Sequence, residues 1–162
     1  MFALPSFPGW DAFHPAVSHF PIALLFVAPA LLLAGLLSPG RRHGLLTLAF
    51  AFTLAGTLGV YLSAASGDAA RDVASKAPPI AAAIAEHESL GSLVRGMFSA
   101  LAVLFAALLH GPRLLRKPLA PATSTALACV LLALFVCALL PLYNAAHSGA
   151  ILVHRLGVHA KI

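Results

Sequence analysis

The sequence predicts an all-α membrane protein, an up-down bundle of four helices in a single domain that covers residues 1–162. The chain is 60% hydrophobic and only 9% charged, with a mean hydropathy of +0.95, which is outside the range of ordinary soluble domains. Its charges are separated by long uncharged stretches, each able to supply the roughly 20 apolar residues that cross a bilayer as a helix. These stretches lie between Asp11 and Arg41, Arg42 and Asp68, Arg95 and Arg113, and Lys117 and Arg155.

The first two membrane spans are predicted at about His19–Leu37 and Leu45–Ala64. Two prolines complicate the start of the first span, because proline disfavours helical geometry in the residue before it. Pro15 and Pro21 therefore favour an arrangement in which the regular helix starts near Pro21. His14 would then lie in an ordered segment outside the helix.

The third and fourth spans are predicted at about Gly91–His110 and Ser124–Ala146. Pro118 and Pro121 delay the start of the fourth helix, because proline is tolerated at the first turn of a helix but not in its interior. Short connections between successive helices are typical of an up-down bundle. The predicted connections are Ser38–Gly44, a longer Ala65–Leu90, and Gly111–Thr123.

Basic residues in the short connections predict the orientation of the chain, because such residues are retained on the cytoplasmic side. The first and third connections carry five basic residues and no acidic one, so we expect both to be cytoplasmic. Both termini and the Ala65–Leu90 connection would then face outward, toward the periplasm. Topology and anionic lipid account for the net charge of +5, so the bilayer is an expected partner and nucleic acid is not. The five residues are Arg41, Arg42, Arg113, Arg116 and Lys117.

The chain has eight histidines, and the predicted topology gathers six of them at the outer face. Ionisable residues at the edge of a span usually face the interior of the bundle and mark a site. Two neutral imidazoles on opposite sides of a planar macrocycle make the six-coordinate iron of a b-type haem, whereas no CxxC or HExxH spacing supports zinc. The six are His14, His19, His87, His147, His154 and His159, while His43 and His110 lie beside arginines at the opposite face.

Residues near these candidate ligands are compatible with a porphyrin. His87, Gly91 and Arg95 are four positions apart and so share one face of the third helix. Gly91 would leave clearance for a flat ring, and Arg95 could pair with a propionate, as could Arg71 or Arg155. Two alternatives stay open, since Gly91 could serve helix packing and Arg95 could extend to the lipid headgroups.

The first two histidines are expected to have different roles. His14 and His19 are five residues apart, or about 140° around an ideal helix, so they are not expected to serve one iron from the same side. His19 lies nearer the apolar helix and is the better candidate for an axial ligand, facing His87 or His147. His14 either binds a second iron or lies behind a ligand. The expected cofactor is one haem b, or two if His14 also binds iron.

Three segments carry a resemblance to a known family: HPAVSHFPIAL, EHESLG and HSGAILVHRLGVHA, which begin at His14, Glu86 and His147. The chain resembles a bacterial family of four-helix membrane proteins classified as a domain of unknown function, whose first segment reads roughly HPxxVHFPIAL. The resemblance covers nearly the whole chain and is more specific in the first segment than in the tail.

Membership in that family implies a b-type haem and a location in the bacterial inner, or cytoplasmic, membrane. The positions that match the family pattern are His14, His19, His87 and His147. His154 and His159 stand where the family tends to have an aromatic residue and a glycine. This weakens their claim to a ligand role shared with the family, although either could still serve as a ligand in this protein.

Together the residues favour a membrane b-type cytochrome that transfers electrons near the outer face, as a subunit or partner of a larger redox complex and with partners such as a cytochrome c. No nucleophile–base pair, phosphate loop or paired carboxylate predicts catalysis by the chain itself. The alternative is a non-redox structural or assembly subunit whose histidines line a polar interface or a metal site. Oxidation of a quinol at the haem edge would require a quinone pocket, and no sequence feature identifies one.

Overall fold

The computed structural model describes residues 9–74 and 76–158. Within these residues the secondary structure is entirely helical, with no strand, so the predicted all-α fold is confirmed. The four α-helices are α1 (Trp10–Leu37), α2 (Arg42–Val73), α3 (Pro78–Leu114) and α4 (Pro121–His154), and a 3-10 turn (Pro39–Arg41) joins α1 to α2.

All four helices are long and apolar enough to cross a membrane. Only 22–33% of the most apolar window of each helix is buried inside the bundle. The outward surface carries large apolar side chains such as Leu58, Val103 and Leu140. A soluble monomer rarely exposes so much contiguous apolar surface, so this bundle is suited to a lipid bilayer.

Each helix packs against two neighbours, in the closed order α1–α2–α3–α4 and back to α1. In the described ranges, the backbones of the diagonal pairs, α1 with α3 and α2 with α4, have no Cα atoms within 8 Å of each other. Successive helices run antiparallel, so the starts of α1 and α3 meet the ends of α2 and α4. We call this the histidine end of the bundle, because His14, His87 and His147 lie there.

Two predicted boundaries were wrong, both at the histidine end. The connection predicted at Ala65–Leu90 is almost wholly helical, since α2 continues to Val73 and α3 begins at Pro78. The segment that follows Pro78 is rich in alanine, a strong helix former, and a proline in the first turn has no intrahelical hydrogen bond to lose.

The predicted start of the first helix was also too late. Helix α1 begins at Trp10 and runs through Pro15, Pro21 and Pro29, so His14 is inside the helix and not in a preceding segment. Neighbouring helices and side chains can compensate the backbone groups that proline leaves unpaired in a membrane helix. This extra length of helix directs the His14 side chain toward α2.

The two helical hairpins, α1–α2 and α3–α4, repeat one pattern of buried positions. Leu25, Ala28 and Leu32 have the same spacing from His14 as Phe98, Leu101 and Phe105 have from His87, and all six are buried. The same holds for α2 and α4, where five buried positions have the same spacing from Ser66 and from Ser148. On α2 these positions are Leu46, Ala49, Thr53, Gly56 and Val60, and on α4 they are Ala128, Leu131, Phe135, Ala138 and Leu142.

Aromatic rings from the second hairpin fill the centre of the core. Phe135 of α4 packs edge to face against Phe98 and Phe105 of α3, with ring centroids 6.1 and 6.3 Å apart. The equivalent positions of the first hairpin carry smaller side chains, which lets α1 and α2 approach closely. At Gly56 an added Cβ would lie 2.7 Å from Leu25 Cγ, so only glycine permits this contact.

Candidate functional site

His14, on the first turns of α1, faces the end of α2 and is half-buried. Its Nδ1 lies 2.8 Å from the backbone carbonyl oxygen of Ser63 and 3.1 Å from Ser66 Oγ. A carbonyl oxygen can only accept a hydrogen bond, so Nδ1 carries the proton and donates it to Ser63. In the neutral ring Nε2 therefore has the free lone pair.

His87, on α3, is held in the same way by α4. Its Nδ1 lies 2.8 Å from Ser148 Oγ. The hydroxyl hydrogen of Ser148 is already donated to the backbone oxygen of Ala145, at 2.9 Å. Ser148 thus accepts from His87, and Nε2 of His87 also has the free lone pair.

The two imidazole rings meet across the bundle. Their centroids are 6.2 Å apart and their planes are nearly perpendicular, at 82°. No hydrogen bond to either Nε2 comes from the part of the chain that the structure describes. The site therefore brings together two imidazole rings, each fixed by a hydrogen bond at Nδ1.

A glycine supports each ring. A Cβ added at Gly67 would lie 3.1 Å from Cε1 of His14, and one added at Gly149 would lie 3.1 Å from Cε1 of His87. These separations are tighter than ordinary van der Waals contact, so each glycine lets an imidazole lie directly against a helix backbone.

The serine and glycine partners belong to an internal sequence repeat, which the pattern of ligand-type residues does not indicate. The pattern Tyr-x-x-Ala-x-Ser-Gly occurs at 61–67 on α2 and again at 143–149 on α4. Each copy supplies the serine and the glycine that hold the histidine of its own hairpin. The repeat is the one sequence signal that marks these residues, because serine and glycine are not among the usual ligands of a haem.

The other two histidines that match the family pattern lie outside this pair. His19 is exposed, and its Nδ1 donates to the backbone oxygen of Pro15 within α1. His147 is exposed on α4, where its ring stacks on Tyr143 with centroids 6.0 Å apart and an interplanar angle of 5°. The predicted pairing of His19 with His87 or His147 is therefore not the arrangement in the structure, where His14 is the partner of His87.

The remaining histidines are dispersed. His154 is exposed at the last residue of α4, and His159 lies outside the described residues. At the opposite end of the bundle, His43 Nε2 lies 3.4 Å from the guanidinium of Arg113, and His110 packs edge to face on Phe50 at 5.6 Å.

The residues predicted to accompany a porphyrin are placed as follows. Arg71 pairs with Glu88, with Nη1 and Oε1 3.2 Å apart, and Arg95 lies 5.8 Å from the centroid of the Tyr61 ring. Arg155 is exposed just after α4. A Cβ added at Gly91 would have no atom of another helix within 4 Å. The glycine that lies beside His87 is therefore Gly149 and not Gly91.

An opening of about 230 Å³ lies between α3 and α4 beside this pair. We call it the α3/α4 groove. It is lined by Ala83, Glu86, Leu90, Asn144, His147, Ser148 and Ile151. Since Ser148 also bonds to His87, one side chain separates the groove from the imidazole pair.

Among residues 9–74 and 76–158, no three histidine, cysteine, aspartate or glutamate side chains converge to hold a metal ion. No family model, no curated protein and no solved structure matches the chain.

Proposed function

We propose that this chain is a membrane b-type cytochrome in which His14 and His87 are the axial ligands of one haem. The observation that carries the proposal is the paired geometry of the two rings, each with Nδ1 bonded from behind and Nε2 bearing a free lone pair. Metal-bound histidines almost always donate their other ring N–H in this way, which fixes the tautomer and the orientation of the ring.

The spacing of the rings supports two ligands on opposite sides of one metal. A bond from a metal to an imidazole nitrogen is about 2.0 Å and the ring centroid lies about 1 Å behind that nitrogen, so two such rings have centroids about 6 Å apart. The centroids of His14 and His87 are 6.2 Å apart.

The number of protein ligands favours haem over zinc. A zinc site takes three or four protein ligands, and no third candidate ligand converges on the two histidines within the described ranges. A porphyrin supplies four in-plane nitrogens itself and needs only axial ligands from the protein. The residues present therefore fit haem b.

Bound haem b would supply a one-electron Fe(III)/Fe(II) couple. The chain's own residues perform three tasks: His14 and His87 bind, Ser63 and Ser148 orient their rings, and Gly67 and Gly149 allow those rings to lie against the backbone. A haem held by two histidines would suit electron transfer and not the binding of a small gaseous ligand.

Orientation and partners follow from the loop charges. Arg41 and Arg42 lie at one end of the bundle with Arg113, Arg116 and Lys117, which favours a cytoplasmic location for that end. The histidine end and both termini would then face the periplasm, in a bacterial inner membrane. Electron transfer would take place along that face, with a redox protein such as a cytochrome c or another complex subunit as partner.

A reduced-minus-oxidised absorbance spectrum of the purified protein tests the proposal. We expect the sharp bands of a low-spin, six-coordinate haem b. His14→Ala and His87→Ala should each lose bound haem or convert it to a five-coordinate spectrum, whereas the matched controls His19→Ala and His147→Ala should retain the spectrum of the unmodified protein.

Two outcomes would contradict the proposal. A folded protein that neither carries haem after purification nor binds added hemin would exclude a cytochrome and favour the structural or assembly role. Haem retained unchanged in both His14→Ala and His87→Ala, but lost in His19→Ala, would show that the ligands are those of a different pairing.

A further inference from the structure

The internal repeat makes the two hairpins comparable position by position, and they differ most at the α3/α4 groove. By the spacing from His14 and His87, Trp10 is the counterpart of Ala83, and Phe13 is the counterpart of Glu86. By the spacing from Ser66 and Ser148, Ala65 is the counterpart of His147. The groove of the second hairpin thus corresponds to a region that carries two aromatic rings in the first.

In the first hairpin that region is covered by an aromatic ring with a polar edge. The Trp10 indole stacks on Phe13, with centroids 5.8 Å apart and planes 20° from parallel. Its Nε1–H donates to the backbone oxygen of Ala65, at 3.3 Å. In the second hairpin Ala83 has only a methyl group in place of this indole, and the α3/α4 groove is open there.

The lining of the α3/α4 groove combines apolar walls with hydrogen-bonding groups. Ala83, Leu90 and Ile151 supply the apolar part, and Glu86, Asn144 and His147 supply the polar part. Two of the polar residues replace apolar ones of the first hairpin, where the counterparts of Asn144 and His147 are Leu62 and Ala65. The His147 ring is oriented by its stacking on Tyr143.

We infer that the α3/α4 groove binds the head group of a quinol, a flat ring with hydroxyl groups at its edge. The tryptophan of the first hairpin shows that the repeat accommodates a flat ring with one polar edge at this place. Glu86 in its charged form can only accept hydrogen bonds, while Asn144 and His147 can accept or donate. This set favours a hydroxylated ring over its oxidised diketone form. The groove lies at the ends of two apolar helices, where a lipid-soluble quinol would reach it from the bilayer.

The location of the α3/α4 groove relates this ligand to the imidazole pair. Ser148 lines the groove and accepts the hydrogen bond of His87 Nδ1. A quinol ring in the groove would therefore lie one side chain away from His87. The inference that a quinol binds depends only on the lining of the groove. A role for the quinol as electron donor to the site rests on the proposed function.

Binding of decylubiquinol to the full chain, purified in lipid nanodiscs, tests the inference. Isothermal titration calorimetry in the presence of excess dithionite keeps the probe reduced, and we expect saturable binding at one site. Ala83→Trp restores the residue that the first hairpin carries and should abolish binding. Glu86→Leu and Asn144→Leu each remove one hydrogen-bonding side chain, and each should weaken binding about three- to tenfold.

Decylbenzene, which has the same tail and no ring oxygens, is the matched probe control. Comparable affinity for decylbenzene and decylubiquinol, or unchanged binding in Ala83→Trp, would overturn the inference. The absorbance spectrum of each variant gives an independent readout: haem retained while Ala83→Trp loses the quinol supports the site.

The two proposals can fail separately. A haem-loaded protein that does not bind decylubiquinol would overturn the inference and leave the cytochrome proposal intact. A haem-free protein that binds decylubiquinol, with the variant effects above, would support the groove as a quinol site and contradict the cytochrome.

Discussion

The imidazoles of His14 and His87 come within 6.2 Å of each other, centroid to centroid, although the helices that carry them have no Cα atoms within 8 Å of each other. The contact is made across the diagonal of the bundle. Each ring is held by the neighbouring helix of its own hairpin, through Ser63 and Ser66 for His14 and through Ser148 for His87. The gap between the rings is therefore set by how the two hairpins pack together.

The two serines should contribute equally to haem binding, because each histidine keeps a backbone acceptor when its serine is removed. In Ser148→Ala the Ala145 carbonyl still accepts from His87, and in Ser66→Ala the Ser63 carbonyl still accepts from His14. We therefore expect each variant to weaken haem binding by less than the roughly 10- to 100-fold that follows complete loss of such a partner. Hemin titration of the haem-free variants measures both affinities, and complete loss of binding in one variant alone would contradict the assigned hydrogen bonds.

Alanine at the supporting glycines should displace the rings. In Gly67→Ala and Gly149→Ala the new Cβ would lie 3.1 Å from an imidazole carbon, so we expect lower haem occupancy or an altered spectrum in both. Gly91→Ala is the matched control on α3, since its Cβ would meet nothing within 4 Å. This control should keep its haem and gain about 0.5–1 kcal/mol of stability from its better helix propensity.

The close contact of α1 with α2 should depend on Gly56. In Gly56→Ala the added Cβ would lie 2.7 Å from Leu25 Cγ, and overpacking of this kind costs about 1–3 kcal/mol. We expect a lower thermal unfolding temperature in detergent than for Gly96→Ala, where the space around the Cβ is open. A Gly56→Ala protein as stable as the Gly96→Ala protein would show that α1 and α2 can separate without cost.

The proposed orientation predicts which fusions of alkaline phosphatase are active. This enzyme requires disulfides, which form in the periplasm and not in the cytoplasm. A fusion at Pro118, between α3 and α4, should be inactive, whereas a fusion after Ile162 should be active. The reverse pattern would place the imidazole pair at the cytoplasmic face and redirect the search for redox partners.

The number and approximate location of the helices could be predicted because hydropathy and charge spacing are direct consequences of the bilayer. The residues at which the helices begin and end near the histidine end could not be predicted in this way. The alanine-rich segment after Pro78 has strong helix propensity, but before Glu86 it is too short to be recognised as a membrane span. The prolines of α1 do not interrupt α1.

The structure brings His14 and His87 together, and the sequence did not indicate that these two histidines would meet. His14 and His87 were both among the predicted ligands, while the preference for His19 rested on its depth in the apolar run. The angular separation of His14 and His19 on α1 was informative, since the structure directs only His14 toward α2 and α3. Hydrogen-bond partners on α2 and α4 decide this, and residues so distant in sequence leave no local signal other than the repeated Ser-Gly pairs.

The repeated hairpin has a consequence for the asymmetry of the two flanks of the bundle. Two separate copies of one hairpin, joined by a two-fold axis, would present the same surface on both sides. In a single polypeptide the two hairpins can carry different side chains at equivalent positions. The indole of Trp10 covers the flank of the first hairpin, while Ala83 leaves the flank of the second hairpin open. The pair of imidazoles is thus flanked by an indole in one hairpin and by an open groove in the other, a difference that comes from the bulk of one side chain.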